Sequence, residues 1–221
     1  MNIFEHGIEI EKQFVSTDII DVIKQEVETS EISQSKHGIR NAEKKFLSIN
    51  SLVQSSQFIN KAKFILNDQP EIVRVIFFDK TPTKNWLVTW HQDKTIAVNS
   101  KAEISGWGSW SIKDGIHHVQ PDINTLNKMI TFRVHLDDAN EQNGCLKVIP
   151  KTNNLGILSQ QKINEITQQQ TAFSCEVQAG DVVLMKPHIL HSSSKSTNPN
   201  HRRVVHIEYS SYKLPHGLKW V

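Results

Sequence analysis

The sequence predicts a mainly β fold with N-terminal helices, its core an antiparallel double-sheet jelly roll. Three observations lead there. Apolar residues recur at three- and four-residue steps in the first third of the chain. After Pro70 the texture changes to short runs of branched and aromatic residues separated by turn formers, the pattern of strands. No long helical stretch divides those runs, which disfavours a parallel α/β architecture and suits two packed antiparallel sheets.

In chain order, Ser16, Thr17 and Asp18 are capping candidates ahead of Ile19, Ile20, Ile23 and Val27, which recur at helical spacing. Ser55 and Ser56 introduce a second helix with Phe58, Ala62 and Ile65 on one face, and Asn67-Asp68-Gln69-Pro70 ends it. Eight strand candidates follow: Ile72–Phe78, Trp86–His91, Thr95–Val98, Met129–Leu136, Cys145–Ile149, Ala172–Val177, Asp181–Lys186 and Arg203–Tyr209. Residues 1–70 therefore read as mostly helical and 71–221 as the jelly-roll core. Both belong to one domain, 1–221, because the change at Pro70 brings no flexible linker.

Composition removes several function classes. Hydrophobic residues at 38% and charged residues at 22% argue for a folded chain and against a disordered or fibrous one. Lys+Arg 25 against Asp+Glu 23 leaves a net charge of +2, too weak a field to recruit nucleic acid or an anionic membrane. A small-molecule partner is favoured. Apolar runs such as Val75–Phe78 and Val182–Met185 fall far short of the ~20 residues that span a bilayer. Residues 1–11 have three glutamates and no secretory pattern, and Cys145 and Cys175 are too few for a disulfide framework. Buried thiols and a cytoplasmic location are expected. Gly106-Trp107-Gly108 lacks the third glycine of a dinucleotide loop, and Ser192-Ser193-Ser194-Lys195 lacks the companion elements of a Ser-x-x-Lys hydrolase.

The chemistry is carried by Trp90-His91-Gln92-Asp93 at the end of a candidate strand. Side chains at i and i+2 point the same way, so the His91 imidazole and the Asp93 carboxylate can bind one metal ion side by side. A third ligand from a remote strand would complete one face of an octahedron and leave three exchangeable positions, the arrangement of non-haem iron(II) oxygenases. His191 is the best candidate, ending an apolar strand before a serine-rich turn; His188 competes, but in a regular strand only one of them faces the metal. Arg202 can aim a planar donor fork into the same cavity, which suits a dicarboxylate cosubstrate that chelates iron at its 2-oxo acid end.

The chain resembles the phytanoyl-CoA dioxygenase family of iron(II)- and 2-oxoglutarate-dependent oxygenases. The resemblance spans most of it and rests on several elements: Phe77-Phe78-Asp79-Lys80, Trp90-His91-Gln92-Asp93, Leu136-Asp137-Asp138, Asn143-Gly144-Cys145-Leu146, Ile149-Pro150, Gly180-Asp181 and His191-Ser192-Ser193 with Arg202. It implies a double-stranded β-helix core, His91, Asp93 and His191 as catalytic iron ligands, and Arg202 on the 2-oxoglutarate carboxylate. Ser193 matches a position that hydrogen-bonds the same carboxylate, and Arg133 one that lines the cosubstrate pocket, although a solvent-facing or Asp137-paired arginine is an equal alternative. Pro150-Lys151-Thr152-Asn153 departs from the family's Pro-Gly-Ser-His, which bears on the hydrogen bonding and shape of that loop.

With Asp93 present, the resemblance implies hydroxylation of a C–H bond in a small organic molecule, with dioxygen consumed and succinate and CO2 released. Trp107, Trp110 and Arg40 are the candidates for shaping the substrate pocket, and an acidic substrate group follows if Arg40 or Arg133 faces the cavity. Two other readings stand beside this one: a metal-dependent, cupin-like enzyme without 2-oxoglutarate, and a non-catalytic ligand-binding barrel.

Overall fold

Strands buried on both faces build the molecule, with Met129–His135, Val182–Met185, Leu190–Ser193 and Arg202–Ser210 buried at every position. The computed structural model describes residues 1–31, 38–81, 84–197 and 200–221. In chain order its elements are α1 (Ile3–His6), β1 (Ile8–Glu11), α2 (Thr17–Thr29), β2 (Gly38–Arg40), α3 (Leu47–Gln54), α4 (Ser56–Leu66), β3 (Glu71–Lys80), β4 (Val88–His91), β5 (Ile96–Val98), β6 (Gly108–Lys113), β7 (Ile116–Gln120), α5 (Ile123–Asn127), β8 (Met129–His135), β9 (Leu146–Ile149), α6 (Gln160–Gln169), β10 (Phe173–Cys175), β11 (Val182–Met185), β12 (Leu190–Ser193) and β13 (Arg202–Ser210).

A six-stranded sheet in the order β1-β11-β8-β13-β3-β2 and a four-stranded sheet in the order β10-β9-β12-β4 form the two layers of a jelly roll, and β5-β7-β6 make a small third sheet. Adjacent named strands pair antiparallel, as in β13 with β3 and with β8. Period-2 alternation gives the large sheet two different faces. Val75, Phe77, Ile130, Phe132, Val134, Val205, Ile207 and Tyr209 point to the helices and join Ile20, Ile23, Val27, Phe58, Ala62 and Ile65 in the main core. The residues between them, among them Ile76, Phe78, Arg133 and His206, face inward on a cavity that the small layer closes with Val88, His91, Leu146 and His191.

Five expectations shift. Residues 1–70 contain helices α1–α4, but also β1 and β2, which extend the two edges of the large sheet. Each is only three or four residues long, too short to register against the helical pattern around it. β6 and β7 were not anticipated, although their turn, Asp114-Gly115, has both φ values positive and is a strong hairpin signal. β12 carries His191 as a strand of its own. Helix α6 interrupts the supposed run of strands; it is glutamine-rich and buries only Ile163 and Ile166, so its apolar stripe was too thin to stand out. In α2, Ile20, Ile23 and Val27 are buried, whereas Ile19 is 42% exposed. Among the described residues no helix is long and apolar enough to cross a membrane.

Phe132 is the keystone between sheet and helices: fully buried, it meets Phe58 at 5.5 Å and Tyr209 at 5.3 Å between ring centroids. Phe132→Ala is expected to destabilise the fold by about 3–5 kcal/mol, because neighbours from two layers cannot collapse into the void. A lowered urea midpoint at unchanged slope would register this; a loss under about 1 kcal/mol would contradict it.

Two buried histidines make stability depend on pH. His135 on β8 and His188 in the turn before β12 have no hydrogen-bond partner on either ring nitrogen. Burial, with Arg133 nearby, holds His135 well below its ordinary value, and burial with Lys186 lowers His188 to about 4. Below pH ~6.5 the unfolded chain takes up protons that the fold refuses. Stability is therefore full above ~6.5 and falls as pH drops toward about 4, by up to about 1.4 kcal/mol per pH unit per histidine. Urea titrations at pH 7.5 and 5.0 check the sign; equal midpoints would exclude it.

Candidate active site

His91 ends β4, and its Cα partner on the neighbouring strand is His191 of β12. The two rings lie 4.2 Å apart between centroids. Asp93 follows two residues later, its backbone N–H donating to Pro187 O at 2.9 Å, which fixes the loop beside the turn that precedes His191. Its carboxylate then faces both imidazoles, Oδ1 at 3.6 Å from His91 Nε2 and Oδ2 at 3.5 Å from His191 Nε2. One ligand atom from each of the three residues lies within 4.8 Å of the others.

The tautomers follow from the neighbours. His91 Nδ1 sits 2.8 Å from Thr89 O, and His191 Nδ1 sits 2.9 Å from Ile189 O. A carbonyl only accepts, so Nδ1–H donates in both and each Nε2 lone pair turns toward the centre. Burial pushes His191 down to about 4, so it stands as a neutral ligand. At His91 burial works downward too, but the Asp93 carboxylate outweighs it and the net shift is upward. Desolvation would raise Asp93, yet His191, His91 and His206 hold it well below the usual carboxylate range. Two imidazole nitrogens and one carboxylate oxygen on one wall of a cavity fit a divalent iron.

The residue between two ligands locks the surroundings. Gln92 points away from His91 and Asp93, donates to Gly156 O at 2.8 Å and His188 O at 2.7 Å, and accepts from Leu158 N at 2.8 Å. His188 is thus buried behind the triad, and His191 alone of the two competes for the metal position. In the Pro150-Lys151-Thr152-Asn153 loop, the Thr152 hydroxyl donates to Ile149 O and accepts from Leu190 N, so the departure retains a hydrogen-bonded anchor next to His191.

Arg202, the first residue of β13, pairs with Lys80 of β3 and is 3% exposed. Its Nε and Nη1 are buried without a partner. Burial and Arg133 lower the guanidinium to about 10, and burial with Arg202 and Arg133 lowers Lys80 to about 7. Lys80 Nζ donates to Ser193 Oγ at 2.8 Å and to Ser194 O at 2.5 Å; Ser193 Oγ in turn donates to Gly144 O at 2.8 Å. Gly144 adopts φ 73, and a Cβ there would lie 2.3 Å from Ser194 O, so only glycine permits this approach. The Asn-Gly element therefore seats the strand that bears His191 and Ser193.

A cavity of about 240 Å³ joins these groups, and Arg202, Ser193, Arg133 and Arg40 all line it with the triad. Arg133 turns inward, while Asp137 pairs with Arg203. Arg133 Nη1 lies 3.1 Å from His206 Nδ1, and His206 Nε2 lies 2.9 Å from Glu208 Oε1, which also holds Arg74. Arginine only donates, so His206 accepts at Nδ1 and donates from Nε2. Asp93, His206 and Glu208 also cluster closely. There, however, the imidazole and carboxylate are committed to each other and to two arginines, which leaves the His91–Asp93–His191 set as the metal candidate. Trp107 and Trp110 are not brought to this cavity: they pack on the apolar cluster of Val73, Ile96 and Val119 beside the third sheet. A larger hollow of about 820 Å³ near Pro70 and Trp220 is lined by neither histidine nor cysteine.

Sequence reasoning passed over Lys80, Trp86, Arg74, Lys113, His206 and Glu208. The last two had a legible signal, since inward positions on β13 alternate with Val205, Ile207 and Tyr209.

A family model for phytanoyl-CoA dioxygenase matches residues 5–204. The chain belongs to the phytanoyl-CoA dioxygenase family. The phytanoyl-CoA dioxygenase family comprises 2-oxoglutarate-dependent, non-haem iron oxygenases, and this chain is an enzyme of that class. No curated protein matches it. Among solved structures, AviO1 from Streptomyces viridochromogenes Tue57 is similar with a TM-score of 0.71 and 17% identity, over 96% of this chain and 93% of that one. HygX from Streptomyces hygroscopicus, solved with nickel and 2-oxoglutarate bound, gives 0.68 and 10% over 94% and 83%. EctD from S. alaskensis gives 0.72 and 16% over 94% and 74%. At these identities the likeness shows the fold.

Proposed function

We propose that this protein is an iron(II)- and 2-oxoglutarate-dependent dioxygenase that hydroxylates a C–H bond of a small organic molecule. The observation that carries the reading is the meeting, in one cavity, of the His91–Asp93–His191 set and the Arg202 guanidinium, whose buried Nε and Nη1 have no partner. His91, Asp93 and His191 would hold iron(II), and Arg202 would take the distal carboxylate of 2-oxoglutarate bidentately. Iron(II) with 2-oxoglutarate and dioxygen supplies the oxidising chemistry, releasing succinate and CO2. The protein's part is positional. The Thr89 and Ile189 carbonyls fix both imidazole tautomers, Gln92 fixes the loop, and Phe78 and Leu146 line the cavity with apolar surface. Ser193 lines the cavity on the side of Arg202 with its hydroxyl held between Lys80 Nζ and Gly144 O, so it would offer the cosubstrate a braced wall and not a free donor, and Arg133 flanks the cavity from the opposite sheet.

HygX, with nickel, 2-oxoglutarate and hygromycin B bound in a related fold, supports a small-molecule substrate. A cytoplasmic location suits the free, buried thiols Cys145 and Cys175. A metal enzyme without 2-oxoglutarate leaves the buried edge of Arg202 unexplained, and a non-catalytic barrel leaves the triad unexplained. Anaerobic addition of iron(II) and 2-oxoglutarate should produce a visible metal-to-ligand charge-transfer band that His191→Ala removes. A band that survives this change would refute the triad.

A further inference from the structure

We propose that the substrate carries an anionic oxygen group, a carboxylate or a phosphate monoester, received by Arg40 and Lys113. The proposal rests on the oxygenase reading and adds the substrate class to it.

Among the described residues, five basic side chains, Arg40, Arg74, Lys113, Arg133 and Arg202, line the cavity against the one carboxylate of Asp93. Glu208 neutralises Arg74 from behind. Iron(II), Asp93, a 2-oxoglutarate dianion and Arg202 together carry no net charge. The loaded cavity would still hold Arg133, Arg40 and Lys113, and of these Arg133 is spent on the His206 ring and flanks the cosubstrate.

Arg40 and Lys113 stand apart from that end. His206 pairs with Ile76, and Ile76 pairs with Arg40, so Arg40 lies on the β2 edge two strands from β13. Arg202 pairs with Lys80, four residues along β3 from Ile76. At ~3.3 Å per residue and ~4.8 Å per strand, the two arginine backbones are roughly 16 Å apart. One short diacid on Arg202 leaves Arg40 free for a second anion. Lys113 arrives from the end of β6, so two separate elements bring positive charge to the same wall.

Neither cation is satisfied from within. Arg40 Nε is buried without a hydrogen-bond partner. Among the described residues the one carboxylate that Arg40 meets is Asp114, at 3.5 Å and 64% exposed, a solvent-screened pair that a ligand anion can displace. Lys113 is an exposed residue that lines the cavity, and among the described residues no carboxylate pairs with it. A neutral ligand closing this wall would strip water from both cations and return nothing; an anionic oxygen group would satisfy them through charge-assisted hydrogen bonds.

The test uses the full chain loaded with nickel(II), which is inert to turnover, and saturated with 2-oxoglutarate. Calorimetric titrations compare benzoate with benzamide, and phenyl phosphate with phenol. At least one anion should bind tenfold or more tightly than its neutral counterpart, and which one does so tells carboxylate from phosphate. Arg40→Gln with Lys113→Gln should cost that anion at least tenfold, leave the neutral compound unchanged and hold 2-oxoglutarate affinity within twofold. Asp114→Asn, which removes the competing carboxylate, should tighten the anion. Equal binding of charged and neutral members, or an unchanged anion affinity in the double variant, overturns the proposal. A separate titration of nickel-loaded protein with 2-oxoglutarate alone reports on the oxygenase reading. If it shows no binding while the anion preference persists, that reading falls and the basic wall stands as an anion site.

Discussion

Asp93→Ala is expected to reduce succinate formation to background and to weaken iron(II) binding by more than ~100-fold, beyond what loss of an outer-shell hydrogen-bond partner costs. Asp93 supplies the only anionic ligand of the set, and its two oxygens face the two Nε2 atoms at 3.6 and 3.5 Å. Among the described residues it is also the only carboxylate lining a cavity that five basic side chains border. Removing it turns a site that attracts a dication into one that repels it. A second signature separates this from general damage. The upward shift of His91 depends on Asp93, so in the metal-free variant, where burial and Arg133 act against the Thr89 carbonyl alone, His91 should titrate at lower pH than in the parent protein. The fold should persist, because the contact from this position to Pro187 is made by the backbone N–H, which alanine retains. Metal content, calorimetry and histidine titration by NMR would read these effects; wild-type iron affinity in Asp93→Ala would end the assignment.

The parts of this site that sequence made legible are those with local periodicity or a fixed spacing. His91 and Asp93 are two residues apart, and Arg202 opens a strongly apolar strand, so each could be aimed inward before any fold was known. The layers were legible because β3, β8 and β13 are runs of seven residues or more rich in branched and aromatic side chains. What escaped depends on pairing between distant segments. Arg74 finds Glu208 across 134 residues, and Lys80 finds Ser193 across 113, and neither sequence neighbourhood names its partner. Trp107 and Trp110 drew attention as large aromatics near glycines, yet they cover the third sheet, where apolar area is what counts. Arg133 was balanced between cavity and surface. Strand register decides it, because it shares a row with His206, and the competing partner Asp137 is occupied by Arg203.

Arg202→Gln should leave iron(II) binding intact and weaken 2-oxoglutarate by about 2–4 kcal/mol, roughly 30- to 1000-fold, the range for truncating one member of a buried charge pair. The side chain is buried, and its Nε and Nη1 have no partner, so its donors are available to a carboxylate and little in the fold depends on them. Glutamine keeps a donor but loses both the charge and the planar fork, so the loss should appear in KM for 2-oxoglutarate ahead of kcat. Lys80 adds a dependence on pH. Burial comes first among the causes that bring its ammonium to about 7, and Arg202 comes second. Below about 7 the lysine is charged and favours a dianion; above it that help is lost, so wild-type affinity should decline as pH rises through this point. In Arg202→Gln the repulsion on Lys80 is relieved, its titration moves upward, and the decline should move to higher pH with it. Titrations of nickel-loaded protein from pH 6 to 9 distinguish the two profiles. An unchanged profile would mean that Lys80 does not feel Arg202, and an unchanged affinity would mean that the cosubstrate carboxylate is held elsewhere.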